Sequence, residues 1–256
     1  MIGALANSSD PRAAAREAFA IALTGFDRGR PVLVLGHFDA DGLAAVAILV
    51  RALGAAGWSA EPRITGKGET PWDCALQREL ARRVPGGLIV TDLGTRAEPV
   101  LQGTPTVIID HHVPTGPAPG ATVVSGHGLH PEPSSALLAW WCAEALGPQD
   151  DLLWLAALGL IGDMTDEGFP ELAEAQARWG KTVLKDAVAL INAPRRTAAA
   201  DPSPALALLL RGDGPKAITK DPSPERDALI AAKAEVRDAV EAARRVAPRV
   251  QGDVAL

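Results

Sequence analysis

PVLVLGHFDADG (Pro31–Gly42) decides how this chain of 256 residues folds. Four consecutive apolar residues, Val32–Leu35, run straight into a glycine, a histidine and two aspartates. A short apolar run of this kind suits a strand covered on both faces, and such strands belong to parallel sheets. Two further runs end in the same way. GLIV (Gly87–Val90) leads into Thr91-Asp92, and TVII (Thr106–Ile109) leads into Asp110-His111-His112. Ser59–Ile64 and ATVV (Ala121–Val124) read as two more strands, with helices at Gly42–Ala56, Pro71–Val84 and around Arg96–Gln102. Strands alternating with helices predict an α/β fold: a doubly wound, mostly parallel five-stranded sheet with helices on both faces.

From Ser134 onward the pattern is helical. Ser134 or Ser135 caps a helix to Leu146, and Gln149–Ile161, Pro170–Ala193 and Pro204–Arg211 read as further helices. Arg211–Glu225 is rich in Pro, Gly and charge and reads as a linker. Ser223-Pro224-Glu225 then opens a long helix to Val246, with an apolar stripe at Leu229, Ala232, Val236, Val240 and Ala243. The terminal QGDVAL resembles the start of a strand. This divides the chain into an α/β domain, 1–211, and a linker with a long helix, 212–256.

Composition narrows the class. Hydrophobic residues are 47% and charged residues 22%, as in an ordinary globular protein. Twenty-five basic residues against thirty-one acidic ones give a net charge of −6, which disfavours an extended surface that holds duplex DNA by neutralising phosphates. Two cysteines, Cys74 and Cys142, form no disulfide framework and read as small core residues in a reduced, cytoplasmic setting. No secretory signal or membrane-length apolar run is evident. Trp140-Trp141 reads as helix packing.

Chemistry collects at strand ends. His37, Asp39 and Asp41 follow the first strand, Asp92 another, and Asp110, His111 and His112 a third; Asp163 follows an apolar helix in GLIGDMTDEG. The carboxyl edge of an open α/β sheet is where ligands bind. Taken singly, Asp92 and Asp163 also suit helix caps. Gathered at one edge, so many carboxylates would repel one another unless cations sat among them. Imidazole with carboxylate and no thiolate suits Mn²⁺, Fe²⁺, Co²⁺ or Zn²⁺, and the number of donors suits two ions better than one. An EF-hand starting at His37 would need Glu where Ile48 stands, so calcium is disfavoured. His127 and His130 read as solvated loop residues.

H-F-D-A-D-G (37–42), T-D (91–92), D-H-H (110–112) and G-D (162–163) resemble, in order and spacing, the motifs of the DHH phosphoesterase superfamily. The D-A-D-G spacing and P-S-S-A (133–136) are most similar to its RecJ-like exonuclease branch, whose members often carry Asp where His37 stands. The resemblance implies that His37, Asp39 and Asp92 hold one ion, and that Asp41, Asp92, His111 and Asp163 hold the other, with Asp92 bridging. His112 would contact the scissile phosphate and Asp110 would orient the histidine pair. It also implies a second, substrate-holding domain, for which the helix from Pro224 would be the lead-in.

The expected activity is metal-dependent hydrolysis of phosphodiester bonds in single-stranded DNA or RNA, or in short oligonucleotides, with Mn²⁺ preferred and Mg²⁺ or Co²⁺ as substitutes. Two other readings stand beside it: a phosphodiesterase of small nucleotides, such as cyclic dinucleotides or nucleoside bisphosphates, and a non-catalytic scaffold. The scaffold ranks last because every ligand position is filled. Lys67, Arg96, Arg195 and Arg196 are the basic side chains available to hold a phosphate chain.

Overall fold

Five parallel strands, β1 (Val32–Gly36), β2 (Ala60–Ile64), β3 (Gly87–Thr91), β4 (Thr106–Asp110) and β5 (Ala121–Ser125), form one sheet in the order β2-β1-β3-β4-β5. The computed structural model describes residue 5, residues 8–165 and 168–245, and the backbone of residues 250–251 and 254–255. In this order the chain runs outward in one direction from β1 to β2 and in the other from β3 to β5. The gap between the carboxyl ends of β1 and β3 is therefore the topological switch point, where ligands of such sheets bind.

Alternate strand residues feed two cores. Val32, Val34, Ile89, Val107, Ile109 and Val124 point to a face covered by α1 (Pro11–Leu23), α2 (Ala40–Ala55), α4 (Ser135–Ala143) and α5 (Leu153–Gly162). Leu33, Leu35, Leu88, Val90, Ile108 and Val123 point to the other, where α3 (Cys74–Arg82) packs through Leu76 and Leu80. α2, α4 and α5 are apolar nearly all round because each is covered on several sides, and Trp140 and Trp141 are buried core residues. α1 carries no motif, yet Asp10 caps it, Pro11 opens it, and Ala15, Phe19 and Leu23 at a spacing of four are its buried stripe.

Several elements differ from the sequence reading. Residues 92–105 hold no helix, because the carbonyls that a helix would use are engaged elsewhere: Thr95 O accepts from Thr115 N, Arg96 O from Ala118 N, and Glu98 O from Trp72 Nε1. The expected helix Pro170–Ala193 is two helices, α6 (Pro170–Trp179) and α7 (Lys181–Ile191), separated at Gly180, whose φ of 93° ends the first. The helix expected from Gln149 begins as a 3₁₀ turn, Asp150–Leu152, before α5. Cys74 opens α3 and is exposed, so only Cys142 is a core thiol.

α8 (Ser203–Arg211) and α9 (Lys216–Thr219), with Ile218 buried, precede α10 (Pro224–Arg244), which packs on α7 and α8. Ser223 caps α10 as its sequence predicts, accepting from Arg226 N at 3.1 Å. The apolar stripe of α10 is buried at Leu229, half-buried at Ala232 and Val236, and exposed at Val240 and Ala243. Val246 lies outside the described residues. β6 (Val250–Gln251) and β7 (Val254–Ala255) form a two-stranded antiparallel pair. Among the described residues no helix is long and apolar enough to cross a membrane.

Candidate metal centre

The centre is built on the N-terminus of α2 and its neighbours. Gly36 ends β1 against the Val46 side chain, where a Cβ would come within 2.3 Å, so the chain can turn tightly into His37-Phe38-Asp39. Asp39 is the N-cap of α2; its Oδ1 accepts from Gly42 N at 3.1 Å, which leaves Oδ2 facing His37 Nδ1 at 3.0 Å. Arg195, from the turn Pro194–Arg196, donates to that same Oδ2 at 3.0 Å. Asn192, at the end of α7, accepts from Ala40 N at 2.9 Å and so pins this helix start.

Asp41 lies in the first turn of α2 and is wholly buried. Its two oxygens accept from the amides of Ser135 and Ala136, each at 2.8 Å, so this carboxylate caps the N-terminus of α4. Gly159 of α5 makes room for it: a Cβ there would lie 2.3 Å from Asp41 Oδ1. Asp92, after β3, has φ 61°, a region in which Asn and Asp are the least unfavourable side-chain residues. Its Oδ1 accepts from the Ser135 hydroxyl at 3.1 Å, and this oxygen is 3.8 Å from His111 Nε2, while its Oδ2 is 3.6 Å from His37 Nδ1. The two oxygens thus face different histidines.

His111 Nε2 stands 2.9 Å from Asp163 Oδ2, 3.8 Å from Asp92 Oδ1 and 4.0 Å from Asp41 Oδ2. Despite these approaches neither ring nitrogen of this buried imidazole has a hydrogen bond of good geometry. Several donors are therefore aimed at a common point rather than at one another. Asp110 is turned away from that point. Its Oδ2 accepts from His112 N and its Oδ1 meets His112 Nδ1, both at 3.0 Å, and Oδ1 also accepts from Gly94 N. Asp110 orients His112 alone, not the histidine pair, because His111 turns its ring toward Asp163 and, through Nδ1, toward Glu132 Oε1 at 3.5 Å.

Three sets of side chains have donor atoms within 4.8 Å of one another: His37, Asp39 and Asp92; Asp92, His111 and His112; and Asp41, His111 and Asp163. Asp92 and His111 are each shared by two of them. His127 and His130 belong to none of the three. The sequence motifs point to every residue in these sets. They also include Ser135, in P-S-S-A, and the sequence offers Arg195 as a basic side chain, but neither is matched to its carboxylate partner, and Asn192 and Glu132 carry no sequence signal.

The electrostatics fit cations. Burial, with repulsion from Asp92 and Asp163, holds the Asp41 carboxyl well above the ordinary range, and burial lifts Asp92 to about 6. Asp39 goes the other way: against the cost of its burial, His37 and Arg195 hold it near 2. Burial opposes charge on His37 and His111, yet the carboxylates around them push both up to about 9. A cluster in which acids resist ionisation while imidazoles hold protons is one that a divalent cation would relieve. The donor set of imidazole and carboxylate oxygen fits a first-row divalent ion.

The site opens into a cleft of about 490 Å³, whose walls include His37, Asp39, Asp92, His112 and Asp163 on one side and Trp72, Thr95 and Arg96 on another.

A parallel sheet carrying a carboxylate–imidazole cluster at its switch point defines a doubly wound α/β domain with a candidate divalent-metal centre. Residues 31–159 match the model of the DHH family, N-terminal domain, and the chain belongs to that family, whose members, the RecJ exonucleases among them, are metal-dependent hydrolases. Asp163 falls just beyond the matched residues. The single-stranded-DNA-specific exonuclease RecJ of Thermus thermophilus is 32% identical over 79% of this chain and 36% of its own length. The chain thus spans about a third of that relative. The crystal structure of Thermus thermophilus RecJ with Mn²⁺ superposes with a TM-score of 0.72 at 26% identity, covering 90% of this chain and 39% of that one. A second structure, exonuclease RecJ bound to manganese, gives a TM-score of 0.67 at 26% identity, covering 90% and 68%.

Proposed function

We propose that this chain hydrolyses phosphodiester bonds in single-stranded nucleic acid or short oligonucleotides at a centre of two divalent ions. The observation that carries the proposal is the pair of donor sets meeting at the β1/β3 switch point, with the two oxygens of Asp92 facing different histidines. The likeness to the RecJ exonucleases supports the substrate class. In this proposal His37, Asp39 and Asp92 hold one ion, Asp41, Asp92, His111 and Asp163 hold the other, and Mn²⁺ is preferred over Mg²⁺.

Bound ions would supply Lewis-acid stabilisation of the charge that develops on the phosphoryl group. The chain's own residues position the rest. Asp110 holds Nδ1 of His112, which leaves Nε2 as the atom for a phosphate oxygen, and this imidazole is half exposed at the cleft. The hydrogen bond to Asp110 raises its pKa, favouring the charged form that pairs with phosphate. Arg195 neutralises Asp39, so the cleft does not repel an anion at that wall.

A second reading, a phosphodiesterase of small nucleotides, is favoured by the cleft wall itself. Among the described residues Arg96 is the one Lys or Arg lining it, with His37 and His112, beside four acids, Asp39, Glu69, Asp92 and Asp163. Such a surface grips a long phosphate chain weakly and with steep salt dependence. The division into a catalytic part, 1–211, and a linker with a long helix, 212–256, that serves a further substrate-holding domain belongs to the first reading.

Metal analysis followed by length profiling with labelled oligonucleotides tests both readings. Two Mn²⁺ per chain and progressive shortening of long strands support the first, and cleavage of only the shortest substrates supports the second. Because His37 and His111 offer nitrogen donors that Mg²⁺ accepts poorly, rates at matched low-micromolar ion should favour Mn²⁺. Equal rates would count against these histidines as ligands.

A further inference from the structure

One wall of the cleft takes no part in the metal chemistry. The guanidinium of Arg96 lies over the indole of Trp72, with Cζ 4.5 Å from the ring centroid. Both groups are held from behind. Trp72 Nε1 donates to the Glu98 carbonyl at 2.9 Å, and the turn that carries Trp72 is closed by the Thr70 amide and hydroxyl donating to the Asp73 carboxylate. On the other loop, Thr115 donates to Thr95 O through both its amide and its hydroxyl, and Ala118 N donates to Arg96 O at 3.0 Å. Gly116 packs so closely there that a Cβ would come within 2.3 Å of Ala97 N. The nearby Asp73 carboxylate is committed to Thr70, and Arg96 acts on it only as a minor influence that favours its charge.

A guanidinium stacked on a fixed indole is a flat cationic surface, and unpaired bases stack on both kinds of plane. The pair shares one cleft with His37, Asp92 and His112, and the volume of about 490 Å³ lies within the range for a bound nucleotide-sized ligand. We propose that the Trp72–Arg96 pair is a nucleobase platform, which takes the base of a nucleotide whose phosphate reaches the metal centre. This rests on the phosphoesterase reading above. Stacking is tolerant of base identity, so the platform selects for the presence of a base and not for its sequence. The base contact would add affinity to what the ions, His112 and Arg96 give the phosphate.

Trp72 also packs against the apolar cluster around Leu76, so a purely structural role has to be separated from a binding one. Calorimetric titration of the Mn²⁺-loaded protein with adenosine monophosphate and with ribose 5-phosphate, which differ only by the base, makes the separation. The wild type is expected to bind the nucleotide about 10-fold more tightly than the sugar phosphate, the size of one base–aromatic stack. Trp72→Leu keeps an apolar side chain over the cluster, and Arg96→Met removes the guanidinium at an exposed position; in both, the two affinities should converge. A base preference that survives intact in both variants, or one that the wild type lacks, overturns the platform. A preference that is present and lost in the variants, in a protein that cleaves no phosphodiester with Mn²⁺, would uphold the platform and remove the phosphoesterase reading instead.

Discussion

Charge is handled in opposite ways in two regions of this molecule. At the β1/β3 switch point Asp41, Asp92 and His111 are buried, their carboxyls resist ionisation, and ring nitrogens lack well-directed partners. At the start of α10, Arg211 meets the Glu225 carboxylate with both guanidinium nitrogens in water. Desolvating a charge is expensive unless strong partners replace the water, whereas an exposed pair loses little and gains little. The first region therefore makes physical sense only with a further charged component, and the second is complete as it stands. Function is found where the fold tolerates a local electrostatic loss.

The largest effect that could break this contrast is expected at Asp92. Asp92→Asn keeps the shape and tolerates the positive φ, but removes the charge that faces both histidines. Hydrolysis should fall by roughly three orders of magnitude, since metal charge stabilisation is worth several kcal/mol. The metal-free variant should melt no lower than the wild type, because a buried carboxyl lifted to about 6 gains little from ionising. Added Mn²⁺ should raise the melting temperature of the wild type and not of the variant. Normal activity with full occupancy by two ions would remove the dinuclear arrangement.

Ser135 sharpens the comparison, because it links two buried carboxylates at once: its amide donates to Asp41 and its hydroxyl to Asp92. Ser135→Ala retains the amide and loses the hydroxyl. Mn²⁺ affinity, read by calorimetry, should drop about 10- to 100-fold, as when a group that orients a metal ligand is removed, while far-UV dichroism stays unchanged. Unaltered affinity would mean that Asp92 is held by backbone strain alone. A smaller, structural effect is expected at Gly159→Ala, where the new methyl would meet Asp41 Oδ1 at 2.3 Å and Ala136 Cβ at 2.4 Å. Overpacking of this kind costs about 1–3 kcal/mol, against a helix-propensity gain of up to ~1 kcal/mol. Gly54→Ala, an exposed α2 position with nothing within 4 Å, is the control and should stabilise slightly. Denaturant melts of the two variants that shift in the same direction would refute the packing argument.

What could be read from sequence was whatever depends on local pattern. Val32–Leu35 and Thr106–Ile109 are strands because apolar runs of that length leave few alternatives, and tandem His111-His112 after a buried strand has no packing purpose. The acids and histidines of the three donor sets were all visible for that reason. The local pattern suggests a helix around Arg96–Gln102, but the carbonyls of loop 92–105 are captured by Trp72, Thr115 and Ala118, partners that no local window contains. The same holds for Arg195 on Asp39 and Ser135 on Asp92, separated by 156 and 43 residues. Two local signals go unused: Asp10-Pro11 before the stripe Ala15, Phe19, Leu23 of α1, and Gly180, since a glycine between two amphipathic runs is the usual residue of a helix end.

The smallest expected effect tests the other half of the comparison. Arg211→Gln breaks the bidentate pair with Glu225 while keeping most of the side chain's length. The pair lowers the pKa of Glu225 to about 2, chiefly through the hydrogen bonds from Arg211. That shift concerns a half-buried carboxylate at the surface, beside an exposed Arg211, where solvent and salt screen much of the attraction and the freed side chain regains its rotamers. Glu225 also sits in the first turn of α10, where the helix dipole favours its charge without any partner. The variant should therefore melt at the wild-type temperature at physiological salt, and its Mn²⁺ affinity should be unchanged. A fall of several degrees, largest at low salt, would show that the start of α10 depends on this pair, and that the surface around it is not the electrostatically relaxed counterpart of the buried centre.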